Sequence, residues 1–253
     1  MRVNINDTAE VDLLLNYNTS FFESLMGKSI AVVGSSGILL DKEYGKLIDE
    51  HDIVVRFNVS RVKGFEKHVG SKTDIRFMNG HAFNGSSDSN RFKSHDPNFV
   101  ANLENETLIV KSWNHQEFIE GVLKTSPQNN VYFINPPFTQ YCNSMTGQEA
   151  TCGMVGVIFL TLFTNKISCF GFNFYKDGWS KNHYWEEMEE YQQGHSFNVE
   201  EELFDMAHRE DSKIYIFNEG KPRVRQEDGL HIYPLVCFNC NKLTEWSFDP
   251  NND

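Results

Sequence analysis

Two imidazoles, His183 and His195, flank a run of Glu, Gln and Tyr in the segment NHYWEEMEEYQQGHSFNVEEEL. An unperturbed imidazole has a pKa of about 6.5, so near neutral pH it both accepts and donates protons. A pair of them suits a group transfer in which one ring takes a proton from an attacking hydroxyl while the other donates to a departing anion. A second stretch with chemical potential is Gly34-Ser35-Ser36-Gly37, which follows the apolar run SIAVVG. Small residues there let backbone N–H groups approach a ligand, and the serines add hydroxyl donors. The stretch is neither a Walker A loop nor the G-x-G-x-x-G fingerprint, which removes support for P-loop and NAD readings. A lone G-S-S-G equally well only turns the chain.

A third feature is a basic island. Arg56, Arg61, Lys63, Lys67, Lys72 and Arg76 stand between residues 56 and 76 against only Glu66 and Asp74. In a chain of net charge −12 such an island suits a small anionic ligand, and a solvated face fits the charge pattern as well. The overall balance speaks against a nucleic-acid or anionic-membrane surface.

These residues must be held by a scaffold, and the apolar runs describe one. SIAVVG (29–34), DIVVRF (52–57), DIRFM (74–78), TLIVKS (107–112), VYFIN (131–135), KISCFGF (166–172) and KIYIF (213–217) are short, bounded by turn residues and rich in Val, Ile or Phe. Strands buried on both faces read this way. Helical patterns at 43–50, 116–124, 153–164 and 199–209 lie between several of them. The alternation predicts a single-domain α/β fold over 1–253, with a mainly parallel sheet flanked by helices. Residues 1–28 form a lead-in, 80–106 a long surface loop and 218–253 a peripheral wrap. In such sheets ligands bind beyond the carboxyl ends of the strands, which is where Gly34 falls.

The apolar run Met154–Phe163 is too short to span a bilayer roughly 30 Å thick. No integral membrane segment and no signal peptide is expected, and a cytoplasmic chain follows. The cysteines Cys142, Cys152, Cys169, Cys237 and Cys240 are odd in number and irregularly spaced, as in a reducing compartment. Cys237 and Cys240 lack a second pair and read as loop thiols rather than a zinc site.

Several segments together resemble a known family. IAVVGSSGILLDKEYGKLIDEHDIVVRFNVSRVKGFEKHVGSKTDIRFMN (30–79) is similar to sialyl motif L of the animal-type sialyltransferases, glycosyltransferase family 29. TCGMVGVIFLTLFTNKISCFGFNFY (151–175) resembles motif S, HYWE (183–186) motif III, and HSFNVE (195–200) the H-x4-E of motif VS. Thr151-Cys152-Gly153 and the Phe174 to Gly178 stretch also resemble bacterial sialyltransferases of family 42. The resemblance implies a GT-A-like sialyltransferase variant of the α/β fold and an inverting, metal-independent transfer of sialic acid. CMP-sialic acid is then the donor substrate and a glycan or glycolipid the acceptor. No other cofactor is implied.

Carried over residue by residue, the resemblance makes His195 the general base. His183, with Tyr184 and Tyr175, donates to the leaving phosphate, and Glu200 orients the base, although a solvated helix face fits Glu200 nearly as well. Gly34, Ser35 and Ser36 belong to the donor loop. Asn58 bonds ribose or cytosine, and Asn79 either does the same or ends a strand. Thr151, Cys152 and Gly153 open a helix whose N–H groups favour the sialyl carboxylate, with Cys152 alternatively a small buried hydrophobe. Gly171 allows close approach, Phe172 packs on the base or in the core, and Trp179 lines the acceptor mouth. The motif L and motif S cysteines of the Golgi enzymes correspond to Ile30 and Thr164, so that pair is absent. Ser35 and Cys152 also depart from the motif residues. A CMP-Kdo-type transferase and a nucleotide-sugar-binding protein without turnover are the rival readings.

Overall fold

The structure, a computed structural model, describes residues 19–79, 103–111, 130–134, 136–164, 166–174, 183–185, 194–209 and 214–217. Each of the seven apolar runs forms a strand: β1 Ile30–Val33, β2 Ile53–Phe57, β3 Ile75–Met78, β4 Thr107–Val110, β5 Asn130–Phe133, β6 Ile167–Phe170 and β7 Ile214–Phe217. The described helices are α1 Thr19–Ser24, α2 Gly45–Asp49, α3 Glu66–Val69, α4 Pro136–Thr146, α5 Cys152–Thr161 and α6 Phe197–Arg209, with a 3-10 turn at Gly37–Asp41. The helical pattern at 116–124, most of the 80–106 loop, Tyr175, Trp179, Cys237, Cys240 and the 218–253 wrap lie outside the described residues.

Every strand pair is parallel, in the order β5-β4-β3-β2-β1-β6-β7. The chain therefore begins in the middle of the sheet, runs outward to β5, and returns across the start to build β6 and β7. That reversal leaves β1 and β6 as neighbours whose connections depart in opposite directions, and a crevice opens beyond their carboxyl ends. All four residues of β1 are buried and alternate between the faces. Ile30 and Val32 join a core with α5 and α6 residues, whereas Ala31 and Val33 join a second core with Ile48 of α2 and Val69 of α3. Covering both faces is what a parallel sheet requires, and it explains the near-continuous apolar strands.

Helix α5 is buried nearly all round, from Cys152 through Leu160 apart from the half-buried Gly153. Gly156 lets it approach the sheet, since a Cβ there would stand 2.7 Å from Cε1 of Phe57. At the opposite end of β1, the Thr164 hydroxyl donates to the Lys28 carbonyl at 2.7 Å and Ile30 N–H donates to Lys166 O. The two positions where the resemblance placed a missing cysteine pair thus each bond to chain beside the other, Thr164 to Lys28 and Ile30 to Lys166, at the start of β1 and β6.

The basic island is corrected by the fold. Arg56 and Arg76 are registered side by side on β2 and β3, with exposures of 0% and 2%. Arg56 donates to Thr73 Oγ1 and to the carbonyls of Val69, Gly70 and Lys72. Arg76 grips both carboxylate oxygens of Glu106, at 2.6 and 3.0 Å, and donates to the carbonyls of Asn58 and Ser60. Lys72 donates to the carbonyls of His51 and Asp52, and Lys67 pairs with Glu43 at the surface. These charges tie loops together because an irregular backbone beside a sheet exposes carbonyls that need donors. Of the six, Arg61 and Lys63 are exposed and have no such side-chain bonds among the described residues.

Candidate functional site

The loops after β1 and β6 meet as closely as backbone allows. Gly34 N–H donates to Phe170 O at 2.7 Å, and Ser36 N–H to Gly171 O at 3.3 Å. A Cβ on Gly34 would lie 2.5 Å from the Gly171 oxygen, and Gly171 itself has φ +72°. Glycine at both positions is therefore a requirement of the crevice. Ser36 is buried, and its hydroxyl caps the 3-10 turn by accepting from Ile38 N–H. Ser35 is half-buried, and its carbonyl accepts from Tyr184 N–H at 2.9 Å. The Ser35 hydroxyl has no protein partner among the described residues, which makes it the donor this loop can offer a ligand.

That Tyr184 contact hooks the segment 183–185 onto the Gly34 loop. The His183 ring lies flat on Trp185, with centroids 4.5 Å apart and planes 10° from parallel. Tyr184 does not face a phosphate, contrary to the expectation. It is 3% exposed, its hydroxyl donates to the Arg61 carbonyl, and its ring packs edge-on against Phe65. Burial pushes its phenol up to about 12, despite the opposing pull of Arg56 and Arg76. The tyrosine anchors the segment that carries His183.

From the other side, His195 stands just before α6 and bonds to the residues before α5. Its Nδ1 lies 2.5 Å from the Glu149 carbonyl oxygen. A carbonyl only accepts, so Nδ1 carries the proton and Nε2 carries the lone pair. Glu200 is 2% exposed, not on a solvated helix face, and its oxygens accept from Thr151 N–H and Thr151 Oγ1, both at 2.7 Å. Burial raises its pKa, and Thr151, His195 and Lys111 pull it back. Thr151 is the N-cap of α5, its hydroxyl accepting from Met154 N–H at 3.0 Å. With its N–H and hydroxyl both engaged, Thr151 positions the helix rather than touching a donor. The Cys152 thiol is a buried core group pushed up to about 12 by burial, so the second of its two readings holds. The N–H groups of Cys152 and Gly153 have no partner among the described residues and remain available to an anion at the helix start.

The two routes converge on the same loops. A Cβ on Gly153 would meet Phe172 Cε1 at 2.9 Å, so the start of α5 rests on the residue next to Gly171. The Phe172 ring sits among Phe57, Phe174 and Phe204, which makes it a packing residue. Beyond Phe57, Asn58 takes the left-handed conformation with φ +47°, and its Oδ1 accepts from Asn79 N–H at 2.9 Å. The two asparagines are therefore brought together at the ends of β2 and β3. Asn58 has its Nδ2 left to offer, because its oxygen is spent on Asn79.

Residues not anticipated from the sequence complete the arrangement. Lys111 is 4% exposed and donates to Glu149 Oε1 at 3.1 Å and to the Ala150 carbonyl. Asn143 Oδ1 accepts from Ala150 N–H at 2.9 Å. The one available signal was the charge of Lys111 directly after the buried run TLIV.

Known proteins resemble this chain in sequence and in fold. A β-1,6-galactosyltransferase of Arabidopsis thaliana is 59% identical over 51 residues, covering 20% of this chain and 13% of its own. A CMP-N-acetylneuraminate-β-galactosamide-α-2,3-sialyltransferase of Mus musculus is 28% identical over 196 residues, covering 72% of this chain and 57% of that protein. The chain thus spans from about an eighth to just over half the length of these relatives. The crystal structure of a mammalian sialyltransferase superposes with a TM-score of 0.63 at 23% identity, covering 86% of this chain and 80% of that one, and so shares the fold. Since the model of glycosyltransferase family 29 (sialyltransferase) matches residues 9–212, the chain belongs to that family.

Proposed function

We propose that this chain transfers sialic acid from CMP-sialic acid to a galactoside hydroxyl, with inversion and without a metal ion. The observation that carries the reading is His195, held with Nδ1 on the Glu149 carbonyl and with the buried Glu200 carboxylate nearby. In the reaction, the acceptor oxygen attacks the anomeric carbon as the bond to the cytidylate phosphate breaks. The acceptor proton passes to His195 Nε2, and the growing positive charge on that ring is met by Glu200. On the opposite side of the sugar, His183 donates to the departing phosphate and CMP leaves. The sugar's own carboxylate offsets charge at the anomeric carbon and is received by the Cys152 and Gly153 N–H groups. Ser35 and Asn58 bind the nucleotide. Tyr175 assists His183, and Trp179 lines the acceptor side.

Support comes from the family and from the names of its members, since the mouse relative is a sialyltransferase acting on a galactosamide. A reducing, cytoplasmic setting remains part of the proposal and agrees with the buried free thiols of Cys142, Cys152 and Cys169. Among the described residues no helix is long and apolar enough to cross a membrane. A second reading, galactosyl transfer, is favoured by the Arabidopsis relative alone. A CMP-Kdo-type transfer shares every nucleotide contact and differs only in the sugar.

The deciding experiment incubates the protein with CMP-Neu5Ac, CMP-Kdo or UDP-galactose and a galactoside. Product is expected from CMP-Neu5Ac, at a rate unaffected by EDTA. Turnover only with UDP-galactose or CMP-Kdo reassigns the donor, and tight CMP binding without turnover on any acceptor makes the chain a binding protein.

A further inference from the structure

We infer that Lys111 is a positioning residue for His195, acting through the backbone it clamps beside the imidazole; this rests on the reading of His195 as the base. The segment 149–151 is irregular chain between α4 and α5, yet each of its residues is held by a side chain from a different element. Lys111, just past β4, takes Glu149 Oε1 and the Ala150 carbonyl. Asn143 of α4 takes Ala150 N–H, and Glu200 of α6 takes Thr151 N–H. Lys111 is itself anchored, its N–H donating to Met78 O at 2.7 Å and its carbonyl accepting from Thr139 Oγ1 at 3.4 Å.

A lysine this buried is costly unless its donors are used, and an apolar residue would fill the same space without that cost. What an apolar residue cannot do is hold the Ala150 carbonyl and the Glu149 side chain, and so steady the carbonyl between them. That carbonyl, on Glu149, is the one that receives His195 Nδ1 and so leaves Nε2 as the basic nitrogen. If the segment rotates, the imidazole is free to carry its proton on Nε2, where it cannot accept another.

The test is the tautomer of His195 read by nitrogen-15 NMR on the full chain without substrate, paired with steady-state kinetics. The wild-type ring is expected to show a protonated Nδ1 and an unprotonated Nε2. Lys111→Met is expected to give a mixture of tautomers and to lower kcat about tenfold, with the KM for CMP-Neu5Ac within about twofold. A wild-type ring protonated on Nε2, or an unchanged tautomer in Lys111→Met, overturns the inference whatever happens to the rate. Should Lys111→Met fail to fold, Glu149→Ala decides, because its side chain is 61% exposed and only one of the two lysine contacts is lost. A shift in the same direction with about a threefold loss of kcat is expected there, and no shift overturns the inference. A tautomer that responds to Lys111 in a chain without transferase activity sinks the proposed function but not the positioning.

Discussion

The β2–β3 region and the β1–β6 crevice both contain groups that suit an anion, but they hold them in opposite states. In the first, guanidinium and ammonium groups are turned inward and bonded to Val69, Gly70, Lys72, His51, Asp52 and Ser60 carbonyls. In the second, the donors are weaker singly, being backbone N–H groups, a serine hydroxyl and imidazoles, and several have no protein partner among the described residues. Availability separates the two. A guanidinium sealed from solvent is out of a ligand's reach even where one nitrogen, Arg56 Nη1, has no hydrogen-bond partner among the described residues, whereas an unbonded N–H at a helix start can meet one.

The largest expected effect sharpens the crevice side. His195→Ala should lower kcat about 10³-fold and leave CMP affinity within about twofold, as read by product formation and titration calorimetry. A comparable loss of CMP affinity would move His195 out of the base role. On the other side, Arg76→Met should cost about 3–5 kcal/mol in denaturant unfolding, because Glu106 and two loop carbonyls lose their donor. The comparison breaks if that variant keeps its stability and loses CMP binding instead. Gly34→Ala places a Cβ against the Gly171 backbone and should cost about 1–3 kcal/mol while weakening CMP about tenfold.

A smaller effect concerns pH. Because the folded pKa of Glu200 is raised by burial, its protonated form contributes stability that is fully present below about pH 4.3. That contribution is lost as pH rises through the folded pKa. Glu200→Gln should therefore remove a negative slope of stability against pH in this window, as followed by urea midpoints from pH 4 upward. Smallest of all, Arg61→Ala and Lys63→Ala should change stability by under about 0.5 kcal/mol and leave KM for the donor unchanged. A tenfold rise in KM would restore the basic island as a ligand face.

Much of the scaffold was legible. Short Val, Ile and Phe runs read as strands buried on both faces, MVGVIFLTLF reads as a buried helix, and the fold has both. His183 and His195 were singled out through their motifs; the fold hooks the segment of His183 onto the Gly34 loop through Tyr184 and bonds His195 Nδ1 to the Glu149 carbonyl. Tyr184 and Thr151 were given ligand contacts, and Phe172 was left between the base and the core, for one shared reason. A hydroxyl or a ring that suits a ligand equally suits a neighbour, and burial decides which of the two it meets. Lys111 was missed because its partners at 149 and 150 lie far along the chain. Glu200 was left between two readings until burial put it against Thr151.

The amino-acid sequence by itself determined that strands alternate with helices, that the sheet is parallel, and that small residues follow β1 and β6. Those features follow from local pattern, because hydrophobic period and turn chemistry act over a few residues. Only the tertiary structure decided that β1 and β6 are neighbours and that their loops close on each other at Gly34 and Gly171. It also decided which charges are spent inside. Strand order depends on where each connection crosses the sheet, and a donor's availability depends on residues distant in the chain, so neither is written in any short stretch.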